Sequence, residues 1–208
     1  SFALLDYVSR RLGGKAVSAM ALFPQYEALM ARVGSVLPRP TDLWSQDWPD
    51  LSLEAPLAPP ENIEARAADG RTVDDFETGL LNLLKRNQPA DAVALADLCA
   101  ALASGAVQRS AHRESATWML ASGFLEGLAG AHVPLTVHAK RVLSQLLSQL
   151  RVLVKGNATP SDRLANELLF FCAQASDVPA AENSVLARVR RTFGLERHKP
   201  VDLQASAL

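Results

Sequence analysis

Four histidines, His112, His132, His138 and His198, are the side chains in this sequence whose chemistry could by itself define a function. On a helical bundle, an exposed imidazole can accept a phosphoryl group and pass it on. That chemistry needs a cation one turn away to hold the phosphoryl oxygens. It also needs a small residue just beyond, so that a partner domain can approach, which gives the pattern His-x-x-Lys-Gly. His138 is followed by Ala139, Lys140, Arg141 and Val142. Lys140 lies about 200° round the helix from His138 and cannot reach its face. Arg141, one turn on, can reach it, but Val142 stands where glycine would clear the approach. His138 with Arg141 is therefore the candidate phosphoacceptor pair. His112 is the lesser candidate, since its third follower is Ser115 and not a cation. His132 reads as a turn residue and His198 as a tail residue. The plainer reading of all four is surface or boundary histidine.

No other constellation is more specific. Gly123, Gly127 and Gly130 share a face of one helical stretch, and each glycine costs a helix about 1 kcal/mol against alanine. Either a neighbouring helix packs closely there or a partner's helix uses the groove, which makes Gly123 and Gly127 a candidate interaction surface. Arg188, Arg190, Arg191, Arg197 and Lys199 form a basic cluster near the C-terminus. They suit a solvated helix face at the negative end of its dipole, and the interleaved aromatics of a nucleic-acid surface are missing. Asp74, Asp75 and Glu77 crowd a helix start, where capping accounts for them. We expect no catalytic residue, no metal site and no cofactor.

These residues sit on elements with helical periodicity. Trp118 to Leu153 reads as two amphipathic helices joined by a turn at Gly130–Pro134. Trp118, Ala121, Leu125 and Leu128 lie on one stripe. Leu135, Ala139, Val142, Leu146, Leu150 and Leu153 lie on the next, with Lys140, Ser144, Arg151 and Lys155 on the wet side. A short helix over 2–12 ends at Gly13-Gly14, and Pro24 opens another to Val33. Thr72-Val-Asp-Asp75 resembles a capping box for a helix carrying Phe76, Leu80, Leu81, Leu83 and Leu84. Further helices are expected over 91–104, 110–130, 134–155, 163–175 and 179–193. The fold class is all-α, an antiparallel helical bundle with short loops.

The organisation follows: a helical arm over 1–33, a connector over 34–70, a bundle over 71–195 and a tail over 196–208. Six of the chain's 12 prolines lie between Pro38 and Pro60. Trp44 and Trp48 stand among them, four residues apart, as one side of a short helical turn stopped by Pro49. Leaving two indoles wet is costly, so we expect the connector to be packed on the bundle, with an exposed docking site as the competing reading.

At 208 residues, 49 % apolar and 21 % charged, the chain is long and apolar enough for a substantial core. Its net charge of −1 makes no case for nucleic acid or membrane binding. Residues 1–104 hold 9 basic and 14 acidic side chains, and residues 105–208 hold 12 and 8, a mild hint of two differently charged faces. Cys99 and Cys172 lie in apolar runs with no further cysteine, which suits buried thiols in a reducing compartment. No apolar run reaches the ~18 residues of a membrane span, so no membrane insertion is expected. A start without Met, inside what reads as a helix, leads us to expect a segment of a longer polypeptide.

The succession of "LFPQYEALM", "PTDLW", "ATWMLASGFLEGLAG", "VHAKRVLSQLLSQLRVL" and "SDRLANELLFFCAQA" resembles the N-terminal helical region of ChpA/PilL-type hybrid histidine kinases. The same domain type occurs in the FimL-type stand-alone scaffolds, which are related to that kinase region. These belong to chemotaxis-like systems that govern type IV pili and twitching motility. The resemblance implies a bundle related to histidine phosphotransfer domains, several of which are degenerate. Here no His-x-x-Lys-Gly occurs, which favours a non-catalytic scaffold that docks signalling or polar scaffold proteins, receiver domains among the candidates. The alternatives are an active phosphotransfer domain using His138, or a stand-alone helical regulator. Any kinase activity would lie outside these residues. The implied location is cytoplasmic, with recruitment to the cell pole.

Overall fold

In the computed structural model, residues 2–14, 18–34, 38–44, 57–156, 160–178, 183–198 and 200 are described, and every regular element among them is helical. They fall into two compact units, Ser1–Asp47 with Pro200–Leu208, and Trp48–Lys199.

In the first unit, helix α1 (Phe2–Leu12) ends at Gly13 and Gly14. Gly14 takes φ +72°, a left-handed geometry that costs glycine no Cβ clash. Ser18 Oγ accepts from the Met20 N–H at 3.2 Å and opens a 3₁₀ turn, Ala19–Leu22. Helix α2 (Phe23–Arg32) follows with Pro24 in its first turn. Met20 and Phe23 are buried, and a second 3₁₀ turn, Pro40–Leu43, packs against the first. Trp44 follows that turn with extended backbone and is half-buried. Trp48 and Pro49 lie outside the described residues.

In the second unit, residues 57–69 run over the bundle as a strap. Leu57 is buried, and the Arg66 N–H donates to Ala101 O at 2.9 Å. Helix α3 (Gly70–Arg86) then begins earlier than its sequence pattern indicates. The capping box expected at Thr72 is not the cap. Asp69 carboxylate accepts from the Thr72 N–H at 2.7 Å, while the Thr72 hydroxyl turns back to Ala67 O at 2.9 Å. Asp outranks a threonine already used elsewhere as an N-terminal cap. Phe76, Leu80 and Leu83 point inward, whereas Leu81 is 48 % exposed.

Helices α4 (Pro89–Gln108) and α5 (His112–Ala129) form the most extensively packed pair. By length and composition α4 could cross a membrane, but half of it is buried in the bundle as a core helix. Helix α5 corrects the sequence reading. It is not amphipathic, because α4, α7 and α8 cover it on all sides. Even Glu114, Ser115, Thr117 and Ser122 are buried, Glu114 accepting from Arg109 at 2.7 Å and Thr117 donating to Arg113 O at 2.9 Å.

Helix α6 (Val137–Val154) keeps the stripe its sequence shows. Ala139, Val142, Leu146 and Leu150 are buried, and Lys140, Ser144, Arg151 and Lys155 are exposed. Its principal neighbours are α3 and α7 (Asp162–Gln174), not the helix that precedes it. The packing therefore closes a ring, α3 on α4, α4 on α5, α5 on α7, α7 on α6 and α6 on α3. Helix α8 (Val185–Thr192) lies on α5 and α7. It is shorter than the 179–193 expected, with Ser184 as its cap and residues 179–182 outside the described set.

Candidate functional site

The phosphoacceptor chemistry asks for an exposed imidazole, and the fold decides where each one goes. Thr136 caps α6 by accepting from the Ala139 N–H at 3.2 Å. That start turns Val137 outward and His138 inward, so Val137 is 60 % exposed and His138 only 5 %. Arg141 is half-buried one turn on, and Lys140 is exposed on the other side. His112 is exposed at the start of α5, but its neighbour Arg113 is ion-paired with Asp162 of α7. His132 donates from Nδ1 to Ser176 O at 2.8 Å and ties the α5–α6 turn to the end of α7. His198 is half-buried, its pKa held below the ordinary value by burial and by Arg190. None of the four has the exposed imidazole with a flanking cation and a small residue that transfer needs.

The glycine face is filled from within. A Cβ on Gly123 would meet Leu186 Cα at 3.3 Å and Val189 Cγ2 at 3.3 Å, and one on Gly127 would meet Val133 Cγ2 at 2.9 Å. Gly123 and Gly127 thus let α8 approach α5, and the groove they make holds a helix of this same chain. Glu126 assists by accepting from the Leu186 N–H at 2.7 Å at the start of α8. Two members of the basic cluster are also engaged. Arg190 donates to Cys172 O at 2.7 Å and Ala173 O at 3.2 Å, closing the C-terminal end of α7, and Arg188 donates to Ala58 O in the strap. Burial lowers the Arg190 pKa. Asp75 pairs with Arg66 and Glu77 with Arg151, so these carboxylates tie elements together.

Sequence reasoning missed Gly105, where a Cβ would stand 2.1 Å from Arg66 O, and a cleft elsewhere along α4. That cleft, about 370 Å³, opens between α4, the end of α5 and the start of α8. Val93, Asp97, Glu126, Gly130, His132 and Leu186 are among its lining residues. Its parts come from helices that only the fold brings together, so no local motif announces it. Among the described residues, no three metal-ligating side chains come together.

Among curated proteins and among solved structures, none matches this chain. The family described as FimL scaffold protein second domain matches residues 61–206. The chain belongs to that family. The region shared with the FimL second domain begins inside the strap, at Glu61, and takes in α3 to α8, so it nearly coincides with the second unit. The all-α bundle, with the strap running over α4, is thus the body of a FimL-type second domain.

Proposed function

We propose that this FimL-family segment is a non-catalytic, phosphotransfer-like scaffold in a chemotaxis-like two-component system controlling type IV pili and twitching motility. It docks other signalling or polar scaffold proteins and works in the cytoplasm, recruited to the cell pole. A relation to the N-terminal region of ChpA/PilL-type kinases belongs to the same reading, with any kinase activity outside this segment. Its domains are the arm over 1–33, the connector over 34–70, the bundle over 71–195 and the tail over 196–208. Burial of Leu57 and the Arg66–Ala101 hydrogen bond support packing of the connector's second half, and Trp44 and Trp48 stay candidates for a docking surface.

The observation that carries the reading is the burial of His138, 5 % exposed beneath the α6 start. A receiver domain must bring an aspartyl phosphate within bonding distance of an imidazole nitrogen, and a side chain at that depth offers no in-line approach. The alternative, phosphate acceptance by His138 with Arg141, needs the opposite exposure. Cells carrying the full-length protein with His138→Gln or with His112→Gln should keep twitching motility at normal protein levels. Loss of twitching with the exposed His112→Gln variant, at unchanged abundance, would return phosphate chemistry to the function.

A further inference from the structure

Resting on that scaffold reading, the geometry points to one docking element: we infer that the cleft between α4, the C-terminal end of α5 and the start of α8 receives a partner protein's arginine beside an aliphatic side chain. Its volume of about 370 Å³ falls at the small end of the ~300–1,000 Å³ found for ligand clefts, enough for one or two side chains and too small for a helix. The floor is apolar. Val93 is 47 % exposed although it sits on a core helix, and Ala96, Ala129 and Leu186 extend the same surface.

The polar side chains at the rim are chiefly acceptors, with Ser184 Oγ already accepting from the Ala187 N–H. Asp97 is exposed one turn from Val93, and Glu126 lies opposite on α5. His132 donates from Nδ1 to Ser176 O, which leaves Nε2 of the neutral ring as an acceptor. Among the described residues that line the cleft there is no lysine or arginine. The last turn of α5 also contains no basic residue, and the positive N-terminal end of α8 at this cleft is met by Glu126, which accepts from the Leu186 N–H. A guanidinium, donor-only and planar, complements an acceptor-rich rim better than an ammonium or any anion. The adjoining apolar floor takes the aliphatic neighbour and desolvates the pair.

The test is a titration of the isotope-labelled full chain with N-acetyl-leucyl-arginine amide, followed by amide chemical shifts. The neutral isostere, in which citrulline replaces arginine, serves as control. Saturable shifts at Asp97, Gly130, His132 and Leu186 are expected, with a dissociation constant on the order of 1 mM and the citrulline compound about tenfold weaker. Asp97→Asn, a surface change that leaves the fold intact, should weaken the arginine compound at least about threefold and leave the citrulline compound unchanged. Equal binding of the two compounds, or shifts scattered away from the cleft, would overturn the assignment. In cells, Asp97→Lys should abolish twitching at normal protein level. Twitching retained in Asp97→Lys would remove this cleft as the docking element while leaving the scaffold function, tested through the histidines, standing.

Discussion

Replacing Gly105 by alanine should destabilise the bundle, although the same change in an ordinary helix stabilises it. Gly105 lies in α4, where alanine is favoured by up to about 1 kcal/mol. Here, however, a Cβ would stand 2.1 Å from Arg66 O and 2.9 Å from Arg66 C. Both atoms are backbone, so no rotamer change relieves the clash and the strap must lift. Lifting it breaks the 2.9 Å Arg66–Ala101 hydrogen bond, a loss of about 1 kcal/mol. Overpacking of this kind costs about 1–3 kcal/mol. After the propensity gain the net is a destabilisation of about 1–3 kcal/mol, which lowers Tm by roughly 2–12 °C in a domain of this size. Thermal unfolding followed by circular dichroism measures the shift, and limited proteolysis should cut first within 57–69. Gly70→Ala is the matched control, because nothing lies within 4 Å of a Cβ there, and it should be neutral or mildly stabilising. A Gly105→Ala protein that melts at or above the parent temperature would refute the strap argument.

Other perturbations probe separate joints. Gly123→Leu would press a side chain into Leu186 Cα and Val189 and should displace α8, lowering the denaturant midpoint by an amount equivalent to about 1–3 kcal/mol. A midpoint unchanged from the parent would mean that α8 does not sit in this groove. Asp69 caps α3, and its pKa is lowered from 3.8 chiefly by the hydrogen bond from the Thr72 N–H. Its folded-state pKa is the lower one, so its stabilisation is complete above the unfolded value and lost as pH falls through the folded one. Asp69→Ala should therefore reduce Tm at pH 7 and flatten the acid limb of the stability curve below pH 3.8, and an unaltered acid limb would count against the cap. Burial pushes the Cys172 thiol up to about 12 and the Cys99 thiol further still. A disulfide exchange reagent should leave both unreacted in the native protein and modify both in concentrated guanidinium chloride. Rapid native-state reaction would contradict their burial.

Much of the helical order was legible because its signals are local. Pro89 at the first position of α4, Gly13-Gly14 after α1 and the apolar stripe of α6 each act through nearest neighbours in the chain. What stayed hidden depends on distant partners. The periodicity of α5 reads as a single stripe, yet three other helices bury it, and its polar residues find partners such as Arg109 that only the fold supplies. The start of α3 was misplaced because Thr72 is a good cap by type, while Ala67 O already takes its hydroxyl proton. For the histidines, the missing lysine and glycine were visible in sequence. The depth of His138 was not, since it depends on the Thr136 cap rotating the first turn of α6. The glycine face was recognised as a helix-docking groove, but its occupant α8 lies about 60 residues further along the chain, as the Leu186–Glu126 hydrogen bond shows.

The central claim is that this FimL-family bundle binds partners without accepting phosphate, and a transfer assay meets it most directly. The native protein is incubated with a receiver domain carrying radiolabelled phosphate, beside His138→Gln and His112→Gln, and the label on each is counted after separation. The account requires the native chain to carry no more label than either variant. Label retained by the native chain and lost in His138→Gln, with both proteins folded by circular dichroism, would contradict it.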